Sequence, residues 1–251
     1  MTDATRPSIR YSELAHLMSP ARVERYLTSS IDSVTGRTNP ARAVALYEHN
    51  IELSTAMWGT IAPIEVALRT IISDAIRELH TRTSPPRGSL WFDEPCWFTD
   101  GKWFSPQSLH TIRRAQARAH DPGPGAEGRP DEGRVIAELT LGFWRYLLVG
   151  RYEHSLWNPA IRRRFPALSH LSGTASRRAV HSRVERLNYL RNRIAHHEPV
   201  YETFSIPGQA IVAEPATVLR EAIEVIEWSN PVAAAWITSI SRFEAVASKR
   251  P

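Results

Sequence analysis

Seven apolar side chains fall on one helical stripe: Ile64, Leu68, Ile71, Ile72, Ala75, Ile76 and Leu79. A 3.6-residue period held over this length buries its face only as a helix against a core. It predicts a helix over Ile61–His80, and it requires other helices to cover the stripe. The chain supplies starts for them. Ser19-Pro20 and Asn39-Pro40 read as an N-cap followed by proline at the first helical position. The first opens a short helix through Leu27. The second opens a helix to about Met57, which Gly59 interrupts. Ser105-Pro106 opens another, to about Ala119. Val135, Ile136, Leu139, Phe143, Trp144 and Leu147 mark a further helix.

A long amphipathic helix is expected from about Ala175 to His196, with Val180, Val184, Leu187, Leu190 and Ile194 on its face. Two helices, about Ala216–Trp228 and Val232–Val246, close the chain and are separated by Asn230-Pro231. Glu202–Glu214 is broken by Pro207-Gly208 and reads as an irregular connection. His120–Gly133 reads as a flexible one. Arg82–Ser105 is a loop insertion carrying Trp-Phe at 91–92, 97–98 and 103–104. These rings are expected to plug the loop onto the core. The fold class is therefore all-α, one domain over 12–246 with additional helices and with tails at 1–11 and 247–251.

A chain of 251 residues, 42% hydrophobic and 23% charged, has enough apolar surface for a real core. No apolar run approaches the roughly 18 residues of a membrane span, and no secretory apolar core opens the chain. A cytoplasmic location without membrane contact is the expectation. The single cysteine, Cys96, excludes a disulfide within the chain and makes a cysteine-based zinc site implausible. The net charge of +5 rests almost wholly on arginine, the only lysines being Lys102 and Lys249. Arginine suits phosphate, because its planar fork stays charged and donates bidentately.

The candidate chemistry lies in Arg191-Asn192-Arg193-Ile194-Ala195-His196-His197-Glu198-Pro199. On a helix Asn192 and His196 share a face, whereas Arg191 and His196 stand about 140° apart. Arginine's reach, loosening of the helix before Pro199, or an antiparallel second copy would close that gap. These groups suffice for RNA cleavage without a metal or cofactor. RNA carries its own 2′-OH nucleophile, an imidazole titrating near about 6.5 exchanges protons at neutral pH, and an arginine offsets charge on the phosphorane. The plainer alternative is two histidines favouring a helix C-terminal dipole. Metal ligation by His196, His197 and Glu198 is disfavoured, since adjacent residues on a helix diverge. No nucleophile-elbow signature supports a Ser/His/Asp triad. Arg162, Arg163 and Arg164 read either as a solvated face or as phosphate contacts beside a site.

The stretch LNYLRNRIAHHEPVY (Leu187–Tyr201) resembles the HEPN superfamily, whose hallmark is Arg, four to six residues, then His. More narrowly, the chain is similar to the Abi-like family of bacterial abortive-infection proteins. That likeness is carried by Ala45–Ser54, Ala62–Ile72, Val135–Leu148 with Leu156–Pro166, and the Arg-His motif, together spanning about residues 12–245. The resemblance implies a HEPN-like helical bundle that dimerises through its motif helices. It also implies a metal-independent endoribonuclease acting as a toxin in antiphage defence. Arg191 and His196 would be catalytic and Asn192 supporting. His197 satisfies an Arg-x5-His count, so the choice of histidine stays open. Glu65 and Arg69 match the family's Glu-x-x-x-Arg helix, which lines or braces the site. Their plainer reading is an intrahelical ion pair. Thr70 departs from the Asn that many relatives carry there.

The expected partners are RNA, contacted by Arg162, Arg163, Arg164 and Arg193, a second copy of the chain, and a neutralising protein or non-coding RNA. Two other classes remain. A non-catalytic RNA-binding module would use Arg113-Arg114, Arg162–Arg164 and Arg177-Arg178. A protein-interaction module would use the dimer face alone.

Overall fold

The computed structural model describes residues 8–32, 34–83, 89–93, 104–120, 131–208 and 212–251. It is mostly helical. The helices are α1 (Tyr11–Met18), α2 (Pro20–Ser29), α3 (Pro40–Arg82), α4 (Pro106–Ala119), α5 (Glu132–Glu138), α6 (Leu141–Tyr146), α7 (Gly173–Ala195), α8 (Pro215–Glu227), α9 (Pro231–Ile240) and α10 (Phe243–Ala247). Between α6 and α7 the chain makes a π turn at Glu153–Trp157 and short 3-10 turns, including Ile161–Arg164.

Three of the four residue-proline starts close with a side-chain cap. Asn39 accepts from Arg42 N at 3.0 Å, Ser105 from Ser108 N at 3.2 Å, and Asn230 from Ala233 N at 3.1 Å. Each bond satisfies one amide that a helix start leaves orphaned. Ser19 makes no such bond.

Helix α3 is the axis of the molecule. It runs 43 residues without a break, roughly 65 Å at 1.5 Å per residue. The interruption expected at Gly59 does not occur. Pro63 lies four residues on, where its ring crowds the carbonyl of residue 59 and cannot donate to it. Gly59 has open space where a Cβ would stand, so this turn can adjust. Buried apolar residues on both sides, among them Leu53, Met57, Ile61, Ile64, Leu68 and Ile72, offset the propensity penalties of glycine and proline.

The helix expected through Val135–Leu147 is two helices. Leu139 is extended (φ −78°, ψ 116°). The indole Nε1 of Trp144 donates to the carbonyl that the break exposes, Leu139 O, at 3.1 Å. The helix expected over Val232–Val246 likewise breaks after Ile240, where Ser241 Oγ bonds Thr60 Oγ1 of α3 at 2.8 Å. The connection at 202–214 contains a small antiparallel hairpin, β1 (Phe204–Ser205) with β2 (Val212–Ala213). Gly208 has φ 78° in its turn, a conformation glycine adopts without penalty.

One core joins α3 to α7 and α8 through Ile64, Leu68, Ile72, Val184, Leu187 and Val225, all at most 1% exposed. Trp91, Phe92 and Phe104 of the aromatic insertion are buried in it, Trp91 meeting Trp144 at 6.2 Å. Cys96, Trp97, Phe98 and Trp103 lie outside the described residues. Near the end of the chain Arg250 lies over the Tyr201 ring at 5.2 Å. No described helix is long and apolar enough to cross a membrane.

Candidate functional site at the end of helix α7

Helix α7 begins at Gly173, two residues earlier than the sequence predicts, with Ser172 capping Ala175 N at 3.2 Å. Its apolar stripe, Val180, Val184, Leu187, Leu190 and Ile194, is buried. The helix ends at the Arg-Asn-His-His motif in a defined turn. Glu198 N donates to Arg193 O at 2.9 Å and His197 N to Ile194 O at 3.0 Å. That pair of bonds is a Schellman motif, which needs a left-handed residue between. His197 fills it with φ 56°, where glycine is usual.

The turn is pinned from two sides. Asn50 of α3, 4% exposed, accepts from Val200 N at 2.7 Å and donates to Glu198 O at 3.5 Å. Arg193 pairs with Glu198 at 2.8 Å, donates to Pro199 O at 2.8 Å and stacks over Phe204 at 5.1 Å. Burial draws the Arg193 guanidinium down, against the opposing pull of Glu198. The fork expected to contact RNA is thus spent on the protein's own turn.

Arg191 is bracketed by α3. Its Nε donates to Glu65 Oε1 at 3.2 Å, and its guanidinium lies 5.1 Å from the centroid of Trp58. Trp58 and Glu65 are seven residues apart, two helical turns, so one face of α3 presents an indole and a carboxylate together. Glu65 engages the guanidinium at Nε and not at its terminal nitrogens, which stay the groups suited to a second acceptor. Glu65 thus pairs across the helices with Arg191, and among the described residues it makes no ion pair with Arg69. Arg69 Nε is buried without a hydrogen-bond partner. Thr70 is exposed and bonds its own helix at Val66 O, 3.0 Å away.

Beside this pair lies a cleft of about 330 Å³ between α2, α3 and the end of α7, whose lining includes Tyr26, Tyr47, Ser54, Trp58 and His197. Trp58 is both platform for Arg191 and wall of the cleft. The motif's arginine thus rests on one wall of the cleft that His197 also lines. His196 is exposed, and its N–H donates to Asn192 O at 2.9 Å. That α-helical bond keeps Asn192 and His196 one turn apart.

The triple arginine sits elsewhere. Arg164 pairs with Glu78 at 2.9 Å, Arg162 donates to Leu171 O at 2.7 Å and Arg163 to Pro159 O. Glu78 is thirteen residues beyond Glu65, about 20 Å along α3. Arg177 is buried, pairing with Glu153 at 2.9 Å and donating to Leu148 O at 2.9 Å, so it presents no fork to a ligand. Sequence reasoning missed Asn50, Trp58 and the tyrosines of α2 and α3. The seven-residue spacing of Trp58 and Glu65 was a usable signal; the reach of Asn50 to a turn 150 residues away had none.

Among the described residues no group of three or more His, Cys, Asp or Glu could hold a metal ion. No family model, curated protein or solved structure matches the chain.

Proposed function

We propose that the protein is a metal-independent endoribonuclease acting as an RNA-cleaving effector in abortive-infection defence, with its site at the end of α7. The observation that carries this reading is the bracketing of Arg191 by Glu65 and Trp58 beside a turn that bears two histidines. In the proposed reaction an imidazole takes the proton of the 2′-OH, and the alkoxide attacks the adjacent phosphorus. The bond from phosphorus to the 5′-oxygen breaks, and that oxygen leaves with a proton. A 2′,3′-cyclic phosphate and a 5′-OH result. The terminal nitrogens of Arg191 would offset charge on the phosphorane, and Asn192 would orient the imidazole or the phosphate. His196 and His197 are the two available proton carriers. A second copy, docked through α7 in a HEPN-like dimer, would bring an additional set of these groups. A free ribonuclease harms its host, so a neutralising protein or non-coding RNA belongs to the same reading.

The test is cleavage of a mixed RNA pool in EDTA, wild type beside His196→Ala and His197→Ala, with product ends analysed. Cyclic phosphate from wild type and its loss in a folded histidine variant support the reading. Cleavage unchanged in both variants overturns the site.

One observation favours a second reading, a non-catalytic RNA-binding or dimerisation module. Glu65 already counters the charge of Arg191, so an incoming phosphate has to share the arginine. Binding that falls steeply with salt, without cleavage, identifies that case.

A further inference from the structure

We propose that the cleft between α2, α3 and the end of α7 binds one unstacked nucleobase of single-stranded RNA, seating its nucleotide beside Arg191. The inference rests on the RNA reading above and adds to it the place where the base is held. Its volume of about 330 Å³ lies at the small end of the range for ligand clefts, which suits a single ring system and excludes a folded partner. Its walls are aromatic. Tyr26 and Tyr47 meet edge to face at 5.1 Å, and Trp58 stands 39% exposed on the Arg191 side. Sequence-tolerant stacking on such rings is how splayed bases are held.

Two polar groups set this cleft apart from an apolar dent. The Tyr26 hydroxyl and Ser54 Oγ belong to lining residues, are closed to solvent, and have no hydrogen-bond partner. Tyr26 is 1% exposed, and burial pushes its phenol far up, so it stays protonated as a donor. Buried polar groups without partners are rare and call for a ligand or an ordered water. The edge of a base offers the donors and acceptors that these two hydroxyls lack. At the mouth, the guanidinium resting on Trp58 supplies the charge for the phosphate of the same nucleotide. His197, held at φ 56° in the lining, places an imidazole beside the ribose.

The probe is a labelled 2′-O-methyl oligonucleotide, which lacks the 2′-OH nucleophile and survives incubation. Its affinity is measured for wild type, Thr55→Trp and Ser54→Ala, with 5′-AMP and 5′-UMP as free-nucleotide controls. Thr55 is exposed and lines the cleft, so a tryptophan there plugs it from outside the core. The expected result is a loss of about tenfold or more in Thr55→Trp, the worth of one stacked base. Ser54→Ala should bind more weakly while melting no lower than wild type, an effect a purely structural hydroxyl would not give. Equal affinity in folded Thr55→Trp overturns the cleft and leaves the ribonuclease reading standing. Absence of oligonucleotide binding by every form at low salt overturns that reading, and the base site with it. Binding of the mononucleotides alone, blocked by Thr55→Trp, overturns RNA as the occupant and assigns the cleft to a free nucleotide.

Discussion

Arg191 Nε donates to Glu65 Oε1 at 3.2 Å across 126 residues of sequence. The bond joins the motif of α7 to the one face of α3 that also carries Trp58. It fixes the arginine by one edge of its fork and leaves the other for a ligand. Glu65 is in this view a positioning residue. Glu65→Ala should reduce cleavage by tenfold to about a hundredfold, the scale of a misplaced catalytic group. Glu65→Gln, still an acceptor, should retain most of the activity. Steady-state kinetics of both variants check this. A rise in activity with Glu65→Gln would show the carboxylate to be a restraint instead.

The left-handed backbone at His197 gives a prediction in which stability and function part. A residue with a Cβ at φ 56° is disfavoured by roughly 1–2 kcal/mol, somewhat less for histidine than for most. His197→Gly should therefore raise the thermal midpoint, stabilising by about 1 kcal/mol. His197→Ala should not. Activity measured on the stabilised glycine variant decides between the two histidines. Its loss assigns a proton-carrying role to His197, and its retention assigns that role to His196.

Asn50 supplies the side-chain hydrogen bonds that tie α3 to the turn. Asn50→Ala leaves Val200 N buried without its 2.7 Å acceptor, a loss of about 1–3 kcal/mol. Chemical denaturation measures it. Hydrogen exchange at Val200 and Glu198 should rise before exchange in the core of α7, locating the loosening at the motif.

Acid should destabilise the fold below neutrality. Burial draws His49, His80 and His181 below the usual imidazole value. Glu52 partly opposes it at His49, Glu132 at His80 and Glu185 at His181, while Arg145 and Arg177 add to it at His181. Their folded pKa values lie beneath the unfolded value near about 6.5, so the unfolded chain binds protons first as pH falls. The stability these three neutral rings contribute is complete above that value and is lost progressively below it. Thermal midpoints at pH 7.5 and pH 5.5 test the sign, and His181→Gln should flatten the slope.

The sequence made the helices legible because their signals are local. Asn39-Pro40, Ser105-Pro106 and Asn230-Pro231 each name a cap bond that forms. The breaks were harder, because tertiary contacts decide them. Gly59 looked like an end until a core lay on both sides of it, and Leu139 looked continuous until Trp144 turned back to take its carbonyl. At the site, Arg191 and its histidines could be found by spacing and Glu65 as a residue of a bracing helix, whereas the bond that joins Glu65 to Arg191 could not. Glu65 and Arg69 stand at ion-pair spacing on one helix, yet Glu65 turns to the other helix. Arg162–Arg164 read either as a solvated face or as phosphate contacts beside the motif, because one-dimensional charge carries no distance.

Pro63 lies between Trp58 and Glu65, at the place where α3 has forfeited a backbone bond and bends most readily. The indole and the carboxylate that flank Arg191 are therefore the two jaws of a caliper whose pivot is a proline. Any flexure of α3 there resets the gap in which the arginine is gripped, and no side chain in the motif has to move first.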